Sequence, residues 1–364
     1  MKKIFNIIFL ISVAVFSGCT DKMDIDNFIS TGSNYNLSGD TLYIQISPVW
    51  NGFNNPQDII VGKEPFIYVA DTDNNRIVML NLDGQELATK SIPKPIAIAQ
   101  DNQLNLIVCG TFDTTQNGIT TTFSAVYKIN MAASGHNLQN APVTRLLPRP
   151  NVSSDLQSAD RKYTSVCTFY DNSFYIGRTG PKNSSIIDPD NSILIFQKRT
   201  LPDGSKTDTL IGRLPLINPV GTGLMSANNL SALASFNKRS LDFIMGMTGD
   251  NSFKAQWLSF VVTSEFAGYQ NRLEPGSGGA DMMRVNKFLK PEGITIDNSG
   301  NVYVADAGKD SIYKFNAYGD ELQSFGGPSV FNHPYAVAHF DKTLYVADAG
   351  NNRILRYVLS TDMR

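Results

Sequence analysis

The sequence predicts an all-β fold, a six-bladed β-propeller made of four-stranded antiparallel blades. The main evidence is a motif in which a proline precedes a short apolar strand and a second strand ends in Val-Ala-Asp. Two copies of the triplet, at 304–306 and 346–348, lie 42 residues apart, and a third stands at 69–71. A repeat of about 40 residues made of short strands is typical of propellers.

The second strand of the motif supports this fold. In Val302-Tyr303-Val304-Ala305 both alternating sets of side chains are apolar. A strand with one face in water alternates apolar and polar residues, so this sheet is predicted to be covered on both faces. Turns such as 297–300, which contain Asp, Asn and Gly, separate the strands and complete a four-stranded meander.

The residues of 291–306 and 347–354 together resemble the NHL repeat. This resemblance implies a six-bladed β-propeller. It is specific over 55–93 and 289–359, whereas the blades within 94–288 are placed by spacing alone.

The spacing predicts blade 1 at about 53–93, blade 2 at 95–147, blade 3 at 163–213 and blade 4 at 230–286, where Met282–Asn286 is taken as the fourth strand. Blades 5 and 6 are the two C-terminal copies. The strand at 40–46 matches the fourth strands of other copies, while the last copy stops after three. We therefore expect the N-terminal strand to complete the last blade in a 3+1 closure, which removes open sheet edges.

The N-terminal residues 1–19 form a processing signal. Lys2 and Lys3 precede an apolar run of 13 residues, 4–16, which is too short to span a bilayer as a helix. The run ends in Phe16-Ser17-Gly18-Cys19, which resembles the bacterial lipobox, with Phe16 in place of the usual Leu. The resemblance implies cleavage before Cys19 and acylation of Cys19, which would make the membrane a partner. The alternative is an ordinary secretory signal.

Residues 20–39 form a polar tether that precedes the propeller domain, 40–364. Asp21, Asp24 and Asp26 follow the cysteine closely and resemble the surface-export signal of Bacteroidota lipoproteins. A solvated linker is the alternative. The predicted location is extracytoplasmic, lipid-anchored to the bacterial membrane, and specifically the outer membrane or cell surface.

Charge and cysteine content narrow the function classes. The chain has 31 basic and 33 acidic residues, a net charge of −2, so it lacks the basic excess expected of a nucleic-acid-binding protein. We expect a monomeric propeller. Besides Cys19, only Cys109 and Cys167 are present; buried free thiols and a disulfide between neighbouring blades both remain open.

Insertions point to one face. We call top the face at which the innermost strand of each blade starts. Four insertions are then links on the top face of blades 2 to 4: 111–124, 148–162, 179–191 and 214–229. A fifth insertion, 263–280, is expected on the bottom. Function usually resides in variable loops on a rigid scaffold, so the top face is the predicted binding face. The tether leaves from the bottom.

Polar residues near the starts of the inner strands are expected to ring the mouth of the central channel and to recognise a polar ligand. These candidates are Asp58, Arg161, Tyr163, Asn229, Glu292, His333 and Tyr335, with Arg178 at the end of a second strand.

A resemblance to calcium-dependent propeller hydrolases of the paraoxonase and regucalcin types adds a metal hypothesis. Those enzymes gather Glu, Asn and Asp ligands at the channel mouth, which implies Asp58, Asn229 and Glu292 here. The alternative is a hydrated polar channel. Asp188 and Asp190 are a weaker calcium candidate. No catalytic residue and no firm cofactor is identified.

The repeated aspartates Asp71, Asp306 and Asp348 are interpreted as structural, because a carboxylate at a strand end can accept hydrogen bonds from turn amides. The sequence thus predicts a lipid-anchored envelope propeller that binds a protein, peptide or glycan through its top face. The alternative is a calcium- or zinc-dependent hydrolase or lyase acting at the channel mouth.

Overall fold

The computed structural model describes residues 41–250, 253–276 and 280–363, which form six four-stranded antiparallel sheets arranged in a ring. Within these ranges there is no α-helix, and the helical segments are 3₁₀ turns of three or four residues. The structure therefore confirms the six-bladed β-propeller. The predicted signal, with Cys19, and the tether lie outside the described residues.

The first five blades each use four consecutive strands, ordered from the innermost to the outermost position. Blades 1 to 3 consist of β2 (Pro56–Val61), β3 (Ile67–Asp71), β4 (Arg76–Leu80), β5 (Glu86–Ser91); β6 (Ala97–Gln100), β7 (Leu106–Gln116), β8 (Ile119–Ile129), β9 (Val143–Leu147); β10 (Lys162–Thr168), β11 (Phe174–Thr179), β12 (Ser192–Thr200) and β13 (Lys206–Arg213). Blades 4 and 5 consist of β14 (Leu230–Ser235), β15 (Phe243–Met247), β16 (Ala255–Val262), β17 (Ala267–Asn271); β18 (Pro291–Ile296), β19 (Val302–Asp306), β20 (Ser311–Phe315) and β21 (Glu321–Gly326).

The sixth blade combines the two ends of the described chain. Its strand order is β1-β24-β23-β22, and it consists of β22 (Pro334–Phe340), β23 (Thr343–Asp348), β24 (Arg353–Leu359) and β1 (Tyr43–Trp50). Tyr43 pairs with Leu359 and Trp50 with Ile354, so β1 is the outermost strand of this sheet.

The strand order defines two faces. We call top the face at which the innermost strands begin, so that links from second to third strands and links between blades lie on top. We call these segments top links. First-to-second and third-to-fourth turns lie on the bottom.

The second strands are buried on both sides, as the sequence pattern predicts. Every residue of β3, β19 and β23 except Thr343 is buried. Six hydrophobic clusters occupy the spaces between adjacent blades. In the cluster between blades 6 and 1, Trp50 and Ile59 pack with Tyr345, so apolar contact continues across the junction of the chain ends.

Close approach of the inner strands explains one glycine of the repeat. A Cβ on Gly293 would lie 2.5 Å from the Cα of Ala336 and 2.5 Å from the carbonyl oxygen of Tyr335. Any side chain here would push β18 and β22 apart, since real Cβ atoms essentially never approach so closely.

The repeated aspartates are structural, as interpreted from the sequence. Asp71, Asp306 and Asp348 are completely buried. Asp348 accepts bonds from the Asn332 amide (2.8 Å), the Asn351 side chain (2.8 Å) and the Arg353 Nε (2.7 Å). Each carboxylate thereby closes the top of its own blade.

Blade 4 departs from the sequence assignment. Its fourth strand is β17, Ala267–Asn271, which follows a tight turn after β16; Met282–Asn286 is not a strand. Met282 and Met283 are buried in the cluster between blades 4 and 5, which explains their strand-like apolar pattern. The predicted bottom insertion 263–280 is therefore wrong, and the extra residues belong to a top link, 272–290.

Blade 2 contains a second difference. The segment 111–124, expected to be a loop, is mostly strand: β7 and β8 remain paired to Gln116 and Ile119. Asn117 and Gly118 join them with φ values of +51° and +77°, the left-handed pair that suits a two-residue hairpin. This insertion is a fully paired hairpin that extends the top of the blade.

Candidate functional site: the top face and the central channel

The six innermost strands enclose a central channel of about 670 Å³. In five of them the pairing with the second strand shifts by one residue near the top. The extra residue interrupts the ladder and turns the strand locally. These residues are Gln57, Thr164, Ser231, Glu292 and Tyr335, and the first four line the channel.

Asp58 lines the channel on blade 1. Its carboxylate accepts hydrogen bonds from the amide of Ile59 (2.8 Å) and from the amide of Ile98 in the neighbouring blade (2.6 Å). Burial nevertheless raises the pKa of Asp58 to about 7, because desolvation outweighs these two bonds. Asp58 can thus both bridge two blades and exchange a proton near neutral pH.

Glu292 lines the same channel on blade 5. Burial raises its pKa to about 7, and the nearby charge of Lys290 only partly opposes this effect. Tyr335 does not line the channel but lies close enough that the charge of Glu292 adds to the effect of burial in raising the tyrosine pKa. Of the eight predicted site residues, the structure brings Asp58 and Glu292 into the channel.

Arg161 and Arg178 face the blade-3 top link instead of the channel. Arg161 pairs with Asp188 (3.0 Å) and Asp190 (2.8 Å), and Arg178 pairs with Asp188 (2.5 Å) and donates to the carbonyls of Pro189 and Asp190. The aspartates considered as a calcium site are therefore neutralised by two guanidinium groups. Their arrangement fixes the 180–191 link.

The remaining predicted residues also lie outside the channel lining. Tyr163 is buried, and its amide donates to the Ser124 hydroxyl (2.9 Å). Asn229 and His333 are exposed and have φ values of +54° and +53° at the entrance to an inner strand. The His333 amide donates to Asp310 (2.7 Å), so this residue caps a turn.

The calcium hypothesis can be tested against the donor set. Calcium takes six to eight oxygen ligands, several of them carboxylates. Asp58 and Glu292 lie on different blades, Asn229 is not with them, and no group of three or more Asp, Glu, His or Cys residues in the described ranges could hold a metal ion. The described residues thus show no group of metal-ligating side chains around Asp58 and Glu292.

Sequence reasoning missed the hydroxyl groups of the inner strands. Thr164 donates to the Leu230 carbonyl (2.7 Å), and Ser231 donates to the Pro291 carbonyl (2.6 Å), each reaching the next blade. Lower down, Ser235 donates to the Thr168 carbonyl (2.6 Å). The available signal was a hydroxyl residue at the same place in successive inner strands.

Apolar side chains are concentrated on the top links. Among described residues, seven large apolar or aromatic side chains are more than 60 % exposed. Five of them lie on top links of blades 2 to 4, and we call these the top-link aliphatic set: Ile119, Ile186, Ile187, Leu216 and Val220. The other two, Val262 and Tyr318, lie at bottom turns.

The top-link aliphatic set is held by ordered backbone. Ile119 directly follows the hairpin turn of blade 2. Arg213 donates from Nε to the Ile187 carbonyl (3.1 Å) and from a terminal nitrogen to the Ile186 carbonyl, so both side chains project outward. Ile186 and Ile187 are neighbours in the chain, and exposed apolar side chains grouped in this way mark candidate interaction sites.

Two further findings concern predicted features. Cys109 and Cys167 are buried free thiols. In the part of the chain that the structure describes, no helix is long and apolar enough to cross a membrane.

Comparison with known proteins supports the fold. The chain is similar to a PQQ-bound aldose sugar dehydrogenase from Streptomyces coelicolor (14 % identity, TM-score 0.54, 88 % of this chain and 99 % of that chain). It is also similar to a protein of unknown function from Bacteroides thetaiotaomicron (17 % identity, TM-score 0.53, 88 % of this chain and 77 % of that chain). A further similar structure is regucalcin, a calcium-binding protein from Agrobacterium tumefaciens (10 % identity, TM-score 0.50, 86 % of this chain and 93 % of that chain). No protein-family model and no curated protein matches. At these identities the likeness establishes a six-bladed propeller and leaves the activity open.

Proposed function

We propose that this protein is a lipid-anchored, NHL-type propeller of a Bacteroidota-like cell envelope that binds a protein, peptide or glycan through its top face. The observation that carries the proposal is the placement of the top-link aliphatic set. Among the described residues, five of the seven most exposed large apolar or aromatic side chains lie on the links of three adjacent blades. Aliphatic side chains bury favourably against a partner, at roughly 25 cal/mol per Å² of apolar surface.

The long links support the same face. Blades 2 to 4 carry the extended hairpin 106–129 and the links 148–161, 180–191, 214–229 and 272–290, whereas blades 1, 5 and 6 have short top links. The ion network of Arg161, Arg178, Asp188 and Asp190 keeps one of these links in shape. A rigid interface loses little conformational freedom on binding, which favours affinity.

The anchor follows from the sequence of 1–39. An acylated Cys19 would hold the chain on the membrane, and a tether of about 20 residues would extend roughly 25 Å as a coil. Because β1 starts at the bottom, the top face would point away from the membrane. Replacing Cys19 with Ala should move the protein from the membrane fraction to the soluble fraction; retention in the membrane would contradict lipid anchoring.

Site-specific photo-crosslinking on intact cells tests the binding face. A photoreactive amino acid placed at Ile187 or Leu216 should form a crosslinked adduct of defined mass with an envelope component. The same amino acid at Val262 or Tyr318, which are similarly exposed on the bottom, is the matched control. Equal crosslinking from both faces, or crosslinking from the bottom alone, would overturn the proposal.

A second candidate function rests on a different observation, the two channel carboxylates whose pKa is raised to about 7. Carboxyl groups with such pKa values can exchange protons near neutral pH, as acid–base hydrolases and lyases require. In this candidate, Asp58 and Glu292 act as the acid and the base. The Agrobacterium neighbour is described as a calcium-binding protein, so calcium binding by this protein should also be measured.

Metal analysis and a substrate screen test this second candidate. Hydrolysis of a lactone or ester that is abolished in Glu292→Gln and retained in Glu265→Gln would support it; Glu265 is exposed at a bottom turn. Activity that survives Glu292→Gln would exclude Glu292 as the acid or base. Calcium retained by Glu292→Gln would indicate a site elsewhere.

A further inference from the structure

A small pocket lies between blades 5 and 6 on the bottom face. It has a volume of about 200 Å³ and shares Asn298 and His339 with the bottom of the central channel. Pockets for drug-sized ligands usually span about 300–1,000 Å³, so this one suits a smaller molecule.

Aromatic rings and a lysine form one wall. Tyr303 stacks on His339 at a centroid distance of 5.3 Å, and its hydroxyl accepts a bond from the Tyr43 hydroxyl (3.1 Å). The Lys314 ammonium lies 5.4 Å from the Tyr303 ring centroid and 5.7 Å from that of Tyr43. In the described structure this ammonium has no hydrogen bond and no ion pair with another residue.

The repeat supplies internal comparisons for Lys314. Lys314 pairs across the ladder with Tyr303 in blade 5, and at the same ladder position Lys128 pairs with Ile107 in blade 2. Lys128 contacts two carboxylates, Asp101 (3.2 Å) and Asp208 (2.7 Å). Its counterpart in blade 5 therefore has the same backbone setting without the partners.

Blade 6 gives the same contrast. Arg356 pairs with Tyr345 at this ladder position and donates to the carbonyls of Ser47 (2.8 Å) and Pro48 (3.3 Å). Burial lowers the pKa of the Lys314 ammonium, and the charges of Asp297 and Asp362 only partly oppose this effect. An anionic group in the pocket would satisfy Lys314.

The acidic residues of the pocket restrict the ligand. Asp297 is saturated, because it accepts bonds from two amides, from the Asn301 side chain and from the Tyr303 hydroxyl. Asp362 pairs with Lys342 (3.1 Å). Asp341 is exposed at the rim and has no hydrogen bond or ion pair with the residues that the structure describes.

One cation and one anion of the pocket thus have no hydrogen bond or ion pair with the described residues: Lys314 on the wall, which lies near two tyrosine rings, and Asp341 at the rim. We propose that this pocket binds a small zwitterion of the amino-acid class, with its carboxylate on Lys314 and its ammonium towards Asp341. The three nearby aspartates disfavour a doubly charged phosphate group. The site is separate from the top face, so either can exist without the other.

Ligand-observed NMR on the full-length protein in detergent tests the proposal, with glycine, acetate and methyl phosphate as probes, each of which has carbon-bound protons. Saturation transfer should be strongest for glycine, weaker for acetate and absent for methyl phosphate. Lys314→Met should weaken glycine binding at least tenfold, and Lys206→Met, at an exposed strand end, should leave it unchanged. Absence of glycine binding, or equal binding by Lys314→Met, would overturn the proposal.

A second measurement needs no variant. Reductive methylation of the wild-type protein, followed by mass spectrometry, reports the reactivity of each lysine. Acetate at a saturating concentration should slow methylation of Lys314 several-fold and leave that of Lys206 unchanged. Equal rates at Lys314 with and without acetate would contradict a carboxylate on this amine.

Discussion

Blades 1, 5 and 6 share a residue that blades 2, 3 and 4 lack, an aspartate at the end of the second strand. In the first three blades this residue is a buried aspartate, Asp71, Asp306 or Asp348. In the other three the residue at the same position of the second strand is Gly110, Arg178 or Met247.

The aspartate closes the top of a blade because it binds the amides of the segment that enters the innermost strand. Blades 2 to 4 lack this aspartate, and long top links follow their second or fourth strands. Arg178 shows the replacement: it binds the link itself, through Asp188 and two carbonyls. The comparison divides the ring into a regular half, blades 1, 5 and 6, and an elaborated half, blades 2 to 4, which carries the long top links.

The largest expected effect on stability comes from a substitution in the regular half of the ring. Asp348→Ala should destabilise the protein by about 3–5 kcal/mol, because it leaves Arg353 and the Asn332 amide without their buried acceptor. Urea unfolding measures the loss. Asp160→Ala, an exposed top-link aspartate, is the control, and a loss below 1 kcal/mol for Asp348→Ala would contradict a capping role.

Arg178→Met probes the elaborated half at the equivalent position. It should cost less, about 2 kcal/mol, because Arg161 still holds Asp188 and Asp190. Hydrogen exchange should show faster exchange confined to 180–191. Faster exchange throughout blade 3 would mean that the arginine supports the blade and not only its link.

Glu292 adds a pH dependence to the regular half. Its folded-state pKa of about 7 lies above the unfolded value of about 4.3, so between these pH values the folded protein binds more protons than the unfolded chain. Stability should therefore fall as the pH rises from about 4 to 7 and then level off.

Glu292→Gln should remove this pH dependence. It should stabilise the protein by about 1–2 kcal/mol at pH 8, once screening by channel water is allowed for, and leave its stability at pH 4 unchanged. Urea unfolding at pH 4 and pH 8 measures the two free energies of unfolding. A destabilised variant at pH 8 would show that the ionised carboxylate has a partner in the folded protein.

The smallest effect on stability is expected at the top-link aliphatic set. Ile187→Asp should change the free energy of unfolding by no more than about 0.5 kcal/mol, because its side chain is almost fully exposed. Thermal unfolding measures this. A loss of 2 kcal/mol or more would mean that Ile187 packs within the propeller.

How much the sequence could reveal differed between the two halves. Val302–Asp306 predicted a blade correctly because burial on both faces leaves both alternating sets apolar. Ala267–Asn271 was missed because an outer strand buries little; only Tyr269 in it is buried. The buried pair Met282 and Met283 misled the assignment by resembling a strand.

The candidate site was predictable only for residues that belong to the repeat. Asp58 and Glu292 were placed in the channel because the repeat fixes the direction of the inner strands. Arg178 was misplaced because its partners, Asp188 and Asp190, are set by the path of an irregular link. Lys314 could be recognised only after the equivalent Lys128 was seen with its two carboxylates.

Quantitative purification of the full-length protein from native membranes tests the central claim, that the elaborated top face holds a partner. The comparison is between wild type, the double variant Ile186→Asp with Ile187→Asp, and Val262→Asp, which adds the same charge on the bottom. The account predicts that a co-purifying component is stoichiometric with wild type and Val262→Asp and falls at least tenfold with the double variant. Equal recovery with the double variant, or selective loss with Val262→Asp, would contradict it.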